Sequence, residues 1–259
     1  NRIVKPCKPP KMLINLPAIY KGRTRTLPAI RPTLAQKSDL AKINRVVVDH
    51  WAAQIPRLMA AYNPTPLQID NAQEAGQMLD EAERAAQILV LSINPRLRNY
   101  AVRIVEWHKA KFAQFAFTAT GVSIDSVLAG ALSGDTVETF LARNLALIKD
   151  ISATTQGKMS DVIFRGLQGR TPARQVAKEL QEVVAVSRKR AVRIASDQLQ
   201  KLTSQLDTER MLDVGIKKWK WRHSGKSHPR AEHVARDNKI YLFSKPPDDM
   251  PGELPYCGC

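Results

Sequence analysis

Cysteine, aromatic residues and long apolar runs are all scarce in this chain. Three cysteines, Cys7, Cys257 and Cys259, are too few for a disulfide framework, and a ring closed through Cys257 and Cys259 would be tight and strained. Reduced thiols in a cytoplasmic assembly setting fit better. Aromatic residues make up only 6% of the chain. The longest apolar stretch, around Ala86–Ile93, is far too short to span a bilayer, so no membrane partner is expected. No charged-then-apolar signal segment opens the chain, whose first residue is Asn1. No internal repeat of roughly 20–50 residues is visible, which sets solenoids aside.

Acidic residues are missing from the first 38 positions, which hold nine Lys or Arg. That arm therefore carries +9 of the +16 formal charge. A block of one sign points to a polyanion or an acidic protein surface nearby, against the plainer reading of a solubilising tail. The same stretch, residues 1–32, has six prolines and neither helical nor alternating periodicity. Proline fixes φ and removes an amide donor, so an extended arm is expected, reaching on the order of 100 Å at about 3 Å per residue. Such an arm orders by lying across something else. Its candidate partner-binding residues are Lys5, Lys8, Lys11, Lys21, Arg23, Arg25 and Arg31.

The remainder, in a chain of 259 residues that is 44% hydrophobic, is enough for one large domain or two small ones. Helix dominates from Thr33 to about Leu212. Ile43, Val47, Trp51, Ile55 and Leu58 recur at spacings of three and four. NPTP at 63–66 breaks the chain, and a second amphipathic helix is expected to end before Pro95. A third follows through Leu97, Ala101, Ile104, His108, Phe112 and Phe115, with His108 read as a hydrogen-bonded core histidine because nothing at i±4 could share a ligand with it. TGVSIDSVLAGALSGDT reads as a turn or short helix, and a long helix runs from Thr136. GRTP at 169–172 is a stop and a start: Gly169 ends one helix, Thr171 caps the next and Pro172 occupies its first position. Ser187 is expected to cap a last helix with the stripe Ala191, Ala195, Leu199, Leu202 and Leu206.

After Gly215 the texture changes. IKKWKWRHS and KIYLF (239–243) read as strands, and the rest is Pro/Gly-rich, a small module that burial alone would not hold. The expected fold is thus mainly α with a small α+β C-terminal module: an extended basic arm (1–33), an elongated helical body (34–212) and a His/Cys module (213–259).

Asn144, Leu147 and Ile148, the GRTP helix start, RIASDQLQKL, GIKKWKWRHS, HPRAEH and the final Cys-x-Cys occur in an order that resembles the phage Mu F-like minor head protein family. The resemblance covers about residues 136–259. It implies a low-copy virion protein of a tailed bacteriophage, associated with the portal region and needed to build a DNA-filled head. There are departures. Lys226, Ser227, His228, Pro229 and Arg230 stand where the family commonly has Asp-x-Arg-x-Arg. Asn238 replaces a usual glycine, although Asn tolerates positive φ. Ser196-Asp197-Gln198 and Cys-Gly-Cys are further variants of the family pattern.

Two readings of the chain end stand side by side. In one, His228, His233, Cys257 and Cys259 (or His223 in place of His228) bind a structural zinc that supplies folding energy to the module. In the other, His233 and Arg230 hydrogen-bond backbone carbonyls and the thiols fill space. A metal-dependent nuclease, with His233 as base, Asn238 orienting it and His228 on a metal, or a toxin-carrier remnant, is the enzymatic alternative. It lacks a second metal histidine on a following helix, and Asp248-Asp249 on a PPDD turn reads as a solvated tip. No catalytic residue is assigned. In KKWKWRH, Trp219 and Trp221 are expected to face the core. Lys217, Lys218, Lys220 and Arg222 would be left to meet DNA phosphates or another anion. The resulting expectation is a non-enzymatic head-morphogenesis protein, in the head interior or at the portal vertex. It would bind portal or major capsid protein, and double-stranded DNA through its basic surfaces.

Overall fold

The computed structural model describes residues 15–22, 25–62, 70–129, 134–225 and 229–257. NPTP, Lys5, Lys8, Lys11, Arg23, His228 and Cys259 therefore lie outside the described residues. The elements in order are α1 (Leu16–Ile19), α2 (Leu34–Ala61), α3 (Asp70–Thr120), α4 (Asp125–Ala129), α5 (Gly134–Gln168), α6 (Ala173–Asp213), β1 (Lys218–Lys220), α7 (Ala231–Ala235) and β2 (Ile240–Leu242). The fold is mainly α with a small α+β module near the C-terminus, as the sequence indicates. Among the described residues no helix is long and apolar enough to cross a membrane.

Local sequence sets most of the helix ends. Thr33 and Gln36 form a reciprocal capping box at the start of α2: the Gln36 amide donates to Thr33 Oγ1 at 3.2 Å and the Thr33 amide to Gln36 Oε1 at 2.8 Å. The α5 stop differs from expectation. Arg170, not Gly169, takes the left-handed conformation (φ 50°), with Thr171 N–H donating to Gly166 O and Arg170 N–H to Leu167 O. Gln175 and Val176 N–H both donate to Pro172 O, so Pro172 stands at the N-cap of α6, which begins at Ala173, one position later than expected.

Two expected boundaries do not exist. α3 runs through Pro95, because Val90, Ile93 and Leu97 carry its buried face past the exposed proline. An interior proline costs about 3 kcal/mol, less than three such side chains return at roughly 1.5–3 kcal/mol each. Ser187 caps nothing. It lies buried within α6, its hydroxyl 2.8 Å from Thr155 Oγ1 on α5, and no breaker interrupts the stripe around it.

The chain divides into two compact units. One comprises Thr33–Ala101 and Glu138–Gln198. Its core joins Trp51, Leu58 and Tyr62 to Leu79, Ala82, Met159, Ile163, Val176 and Leu180. Trp51 Nε1 donates to Ser152 Oγ at 2.9 Å and Tyr62 OH to Thr171 O at 2.7 Å, so both aromatic polar tips are satisfied inside.

The other unit comprises Asn1–Pro32, Val102–Val137 and Leu199–Cys259. Here the proline-rich segment is not extended throughout. Asn15 caps the single turn α1, and Leu16 and Ile30 are buried with Phe112, Ala116, Ile124, Leu128 and Val214. Leu16 N–H donates to Val214 O at 2.9 Å. His108 is the core histidine expected of its stripe, accepting at Nδ1 from Arg210. Gly215 (φ 77°) ends α6, with Ile216 N–H returning to Met211 O.

Candidate functional site

Alternation in the KKWKWRH run does what a half-buried strand requires. β1 pairs antiparallel with β2 in the register Lys218↔Leu242, Trp219↔Tyr241, Lys220↔Ile240. Trp219 and Trp221 point inward and are buried, whereas Lys218, Lys220 and Arg222 are exposed. Lys217 is exposed as well. The outer face therefore sets Lys218 and Lys220 directly against two exposed apolar side chains, Leu242 and Ile240.

The inner face is an aromatic stack. Trp219 lies 5.2 Å from Tyr241 and 5.8 Å from Trp221, centroid to centroid. Trp221 meets the His233 ring edge-on at 5.0 Å, and the Arg236 guanidinium sits 5.2 Å over its face. α7 supplies His233, and Arg236 is its C-cap residue. Asn238 follows at φ 64°, the positive angle that its place in the motif suggested, and lets the chain turn back into β2.

Residues 245–257 then close over the module. Gly252, at φ 81°, lies where a Cβ would meet Ser204 Oγ of α6 at 2.9 Å, so only glycine fits. Its amide donates to Cys257 Sγ at 3.4 Å. Cys257 is 4% exposed, His233 2% and Asp249 8%, so the module has a polar core. Within it Cys257 Sγ is 3.7 Å from His233 Nδ1, and His233 Nε2 is 2.9 Å from Asp249 Oδ2. Asp249 Oδ1 accepts from Arg236. Burial acts to raise the Asp249 carboxyl, but the Arg236 guanidinium and the His233 ring together hold it below the usual carboxylate range.

Of the expected metal ligands, the structure brings His233 and Cys257 together. Among the described residues no three His, Cys, Asp or Glu side chains converge as a metal centre needs. The plainer reading had His233 and Arg230 on backbone carbonyls; His233 bonds the Asp249 carboxylate, and Arg230 reaches the Pro255 carbonyl at 2.9 Å. Asp249 is no solvated tip either; only its neighbour Asp248 stays on the surface. Asp249 and Arg236 are the residues that sequence reasoning missed. Sixteen positions and two prolines separate His233 from Asp249, and no periodicity links them.

Cys257, His233 and Asp249 stand in the order of a nucleophile, base and orienting carboxylate, but the thiol is closed off from any substrate. Asn238 does not orient His233. Its side chain accepts from Arg222 and donates to Asp237 Oδ2. In the arm, Lys21, Arg25 and Arg31 are exposed.

These features define a helical protein whose small C-terminal hairpin closes on a buried His–Asp–Cys core. Residues 157–259, which span the end of α5, all of α6 and that whole module, match the family described as Phage Mu protein F like protein. A protein of Haemophilus influenzae that carries the name "Uncharacterized protein" is 29% identical over 143 residues, 54% of this chain and 32% of that protein. The chain thus spans about a third of that relative's length. No solved structure matches it.

Proposed function

We propose that the protein is a minor head component of a tailed bacteriophage, acting without catalysis in head morphogenesis by binding portal or inner capsid protein. The match of residues 157–259 carries this reading. The charge distribution supports it: basic residues fill the N-terminal segment, and Lys21, Arg25 and Arg31 are exposed while Leu16 and Ile30 anchor that segment to the body. Cations held outward on an anchored strap suit an acidic protein surface. The test is a charge reversal, Lys21→Glu/Arg23→Glu/Arg25→Glu/Arg31→Glu, in the otherwise complete chain. Loss of the protein from assembled heads, with unchanged thermal unfolding, is the expected result. Normal incorporation would refute the strap as a docking element.

Contact with head DNA is part of the same reading. The inward tryptophans leave Lys218, Lys220 and Arg222 on one exposed face, beside Lys217. Such a face meets phosphates without regard to sequence, with log affinity falling by about 0.9 per phosphate neutralised as log salt rises. Lys218→Ala/Lys220→Ala should reduce that slope by about 2 in a duplex-DNA titration, roughly 1 per lysine. An unchanged slope would remove DNA from the partners of this face.

A further inference from the structure

We infer that Asn44, Asn94 and Asn144 enclose a site for internal water, a hydrated amide layer inside the unit formed by Thr33–Ala101 and Glu138–Gln198. The inference stands independently of the phage reading, since it rests on that unit's interior alone.

The first support is what these side chains lack. Asn44 and Asn144 are both 0% exposed. Yet among the described residues Asn44 Oδ1, Asn44 Nδ2 and Asn144 Oδ1 have no hydrogen-bond partner, and neither has the buried Asn94 Oδ1. Asn144 Nδ2 donates to Phe140 O at 2.8 Å, which fixes that amide and makes its carbonyl oxygen the orphan. A buried orphan gives up its hydration for nothing, and folded proteins rarely leave one so. Here four such atoms come from three helices.

The second support is register. The contacts Arg98–Glu138 and Glu83–Gln156 set α3 antiparallel to α5. Asn94 stands four residues inward of Arg98, and Asn144 six inward of Glu138. Trp51–Ser152 and Tyr62–Thr171 set α2 parallel to α5. Asn44 precedes Trp51 by seven residues, and Asn144 precedes Ser152 by eight. The three amides therefore share one height to within about a helical turn. On α6, the antiparallel contacts Thr155–Ser187 and Asp150–Arg190 carry Ala195 to that height, and this buried, small residue leaves room beside them.

The third is the match of donors to acceptors. Three carbonyl oxygens accept and one amide nitrogen donates. Water donates twice and accepts as well, so about one or two molecules satisfy all four atoms, with the roughly three bonds that a buried water makes. A cation suits the layer poorly, because the oxygens are neutral and the Asn44 Nδ2 hydrogens carry positive partial charge. An apolar ligand would leave every one of the four atoms unpaired. The layer also gives a role to Asn144, the first residue of the Asn-x-x-Leu-Ile stretch, which neither docking nor DNA contact uses. Sliding one helix past the others would set its amide against apolar neighbours, so the layer holds the register.

The experiment uses the full chain, labelled with nitrogen-15. NMR cross-relaxation from water is read at the side-chain Nδ2 protons, and oxygen-17 relaxation dispersion counts the waters held longer than molecular tumbling. Bound-water contacts at Asn44 and Asn144 are expected, and Asn44→Leu should lower the count by about one or two. Asn99→Ala, at an exposed position of α3, should leave the count unchanged. If Asn44→Leu does not fold, the wild-type cross-relaxation decides alone. Absence of bound-water contacts at both wild-type amides overturns the site, and so does an unchanged count in a folded Asn44→Leu.

Discussion

Arg210 is a cation placed where water cannot reach it. It is 3% exposed, and its guanidinium donates to His108 Nδ1 and, at 2.8 Å, to Val105 O. Burial, partly offset by Glu209 and Asp207, lowers its pKa to about 10. Arg210→Met should cost about 2–4 kcal/mol in urea unfolding, because it leaves a ring nitrogen and a carbonyl buried without donors. His108 beside it is shifted as well. Burial lowers the pKa of the ring, Asp207 opposes that, and Arg210 adds to it. An unfolded His108 takes up a proton as pH falls below its ordinary 6.5, while the folded ring still refuses one. Its contribution is therefore complete above 6.5 and drains away below, down to the lowered folded value. The unfolding midpoint should fall between pH 7.5 and 5.5, and His108→Gln should flatten that fall. Asp249 has its own window: held below 3.8, it stabilises above that value and stops doing so as pH drops through its folded pKa. The buried place of His108 was legible from its stripe with Ile104 and Phe112. Its partner was not, since Arg210 lies 102 positions away and only the fold joins them.

Helices were the most legible feature, because buried faces repeat at three and four whatever surrounds them. Ile43, Val47 and Trp51 on α2, and Ala191, Ala195, Leu199, Leu202 and Leu206 on α6, are all buried as their spacing required. The boundaries were less legible, because local rules yield when burial on both sides of a breaker outweighs it. Pro95 illustrates this and gives a test. It is exposed within α3, so Pro95→Ala restores a backbone donor without disturbing a contact, and should raise stability by roughly 1–3 kcal/mol. A drop in the thermal midpoint would show that the proline is needed for a bend. Gly166 on α5 makes the opposite case. A Cβ there would lie 2.8 Å from both Tyr62 OH and Val176 Cγ2. Gly166→Ala should therefore destabilise by about 1–3 kcal/mol, through overpacking and disturbance of the Tyr62–Thr171 bond. Neither neighbour is near Gly166 in sequence in a way that periodicity could reveal.

For the whole chain, charge sets the behaviour that binding must exploit. A formal +16 keeps copies apart and draws in acidic partners or nucleic acid, with salt weakening both attractions. The arm was legible as basic and proline-rich. Its attachment was not, because Leu16 and Ile30 are isolated apolar residues with no period, and they find their partners only in the folded unit. Removing residues 1–32 should thus lower the thermal midpoint, because it strips Leu16 and Ile30, two buried side chains at roughly 1.5–3 kcal/mol each. Circular-dichroism melts of the truncated and full chains would check this, and equal midpoints would contradict it. The edge-on contact of Trp221 with His233 has a practical consequence. An indole against an imidazole is quenched more strongly when the imidazole is charged. Two of the four tryptophans, Trp219 and Trp221, lie in this module. Intrinsic fluorescence therefore reports the state of the C-terminal core directly, without a label and in the intact chain.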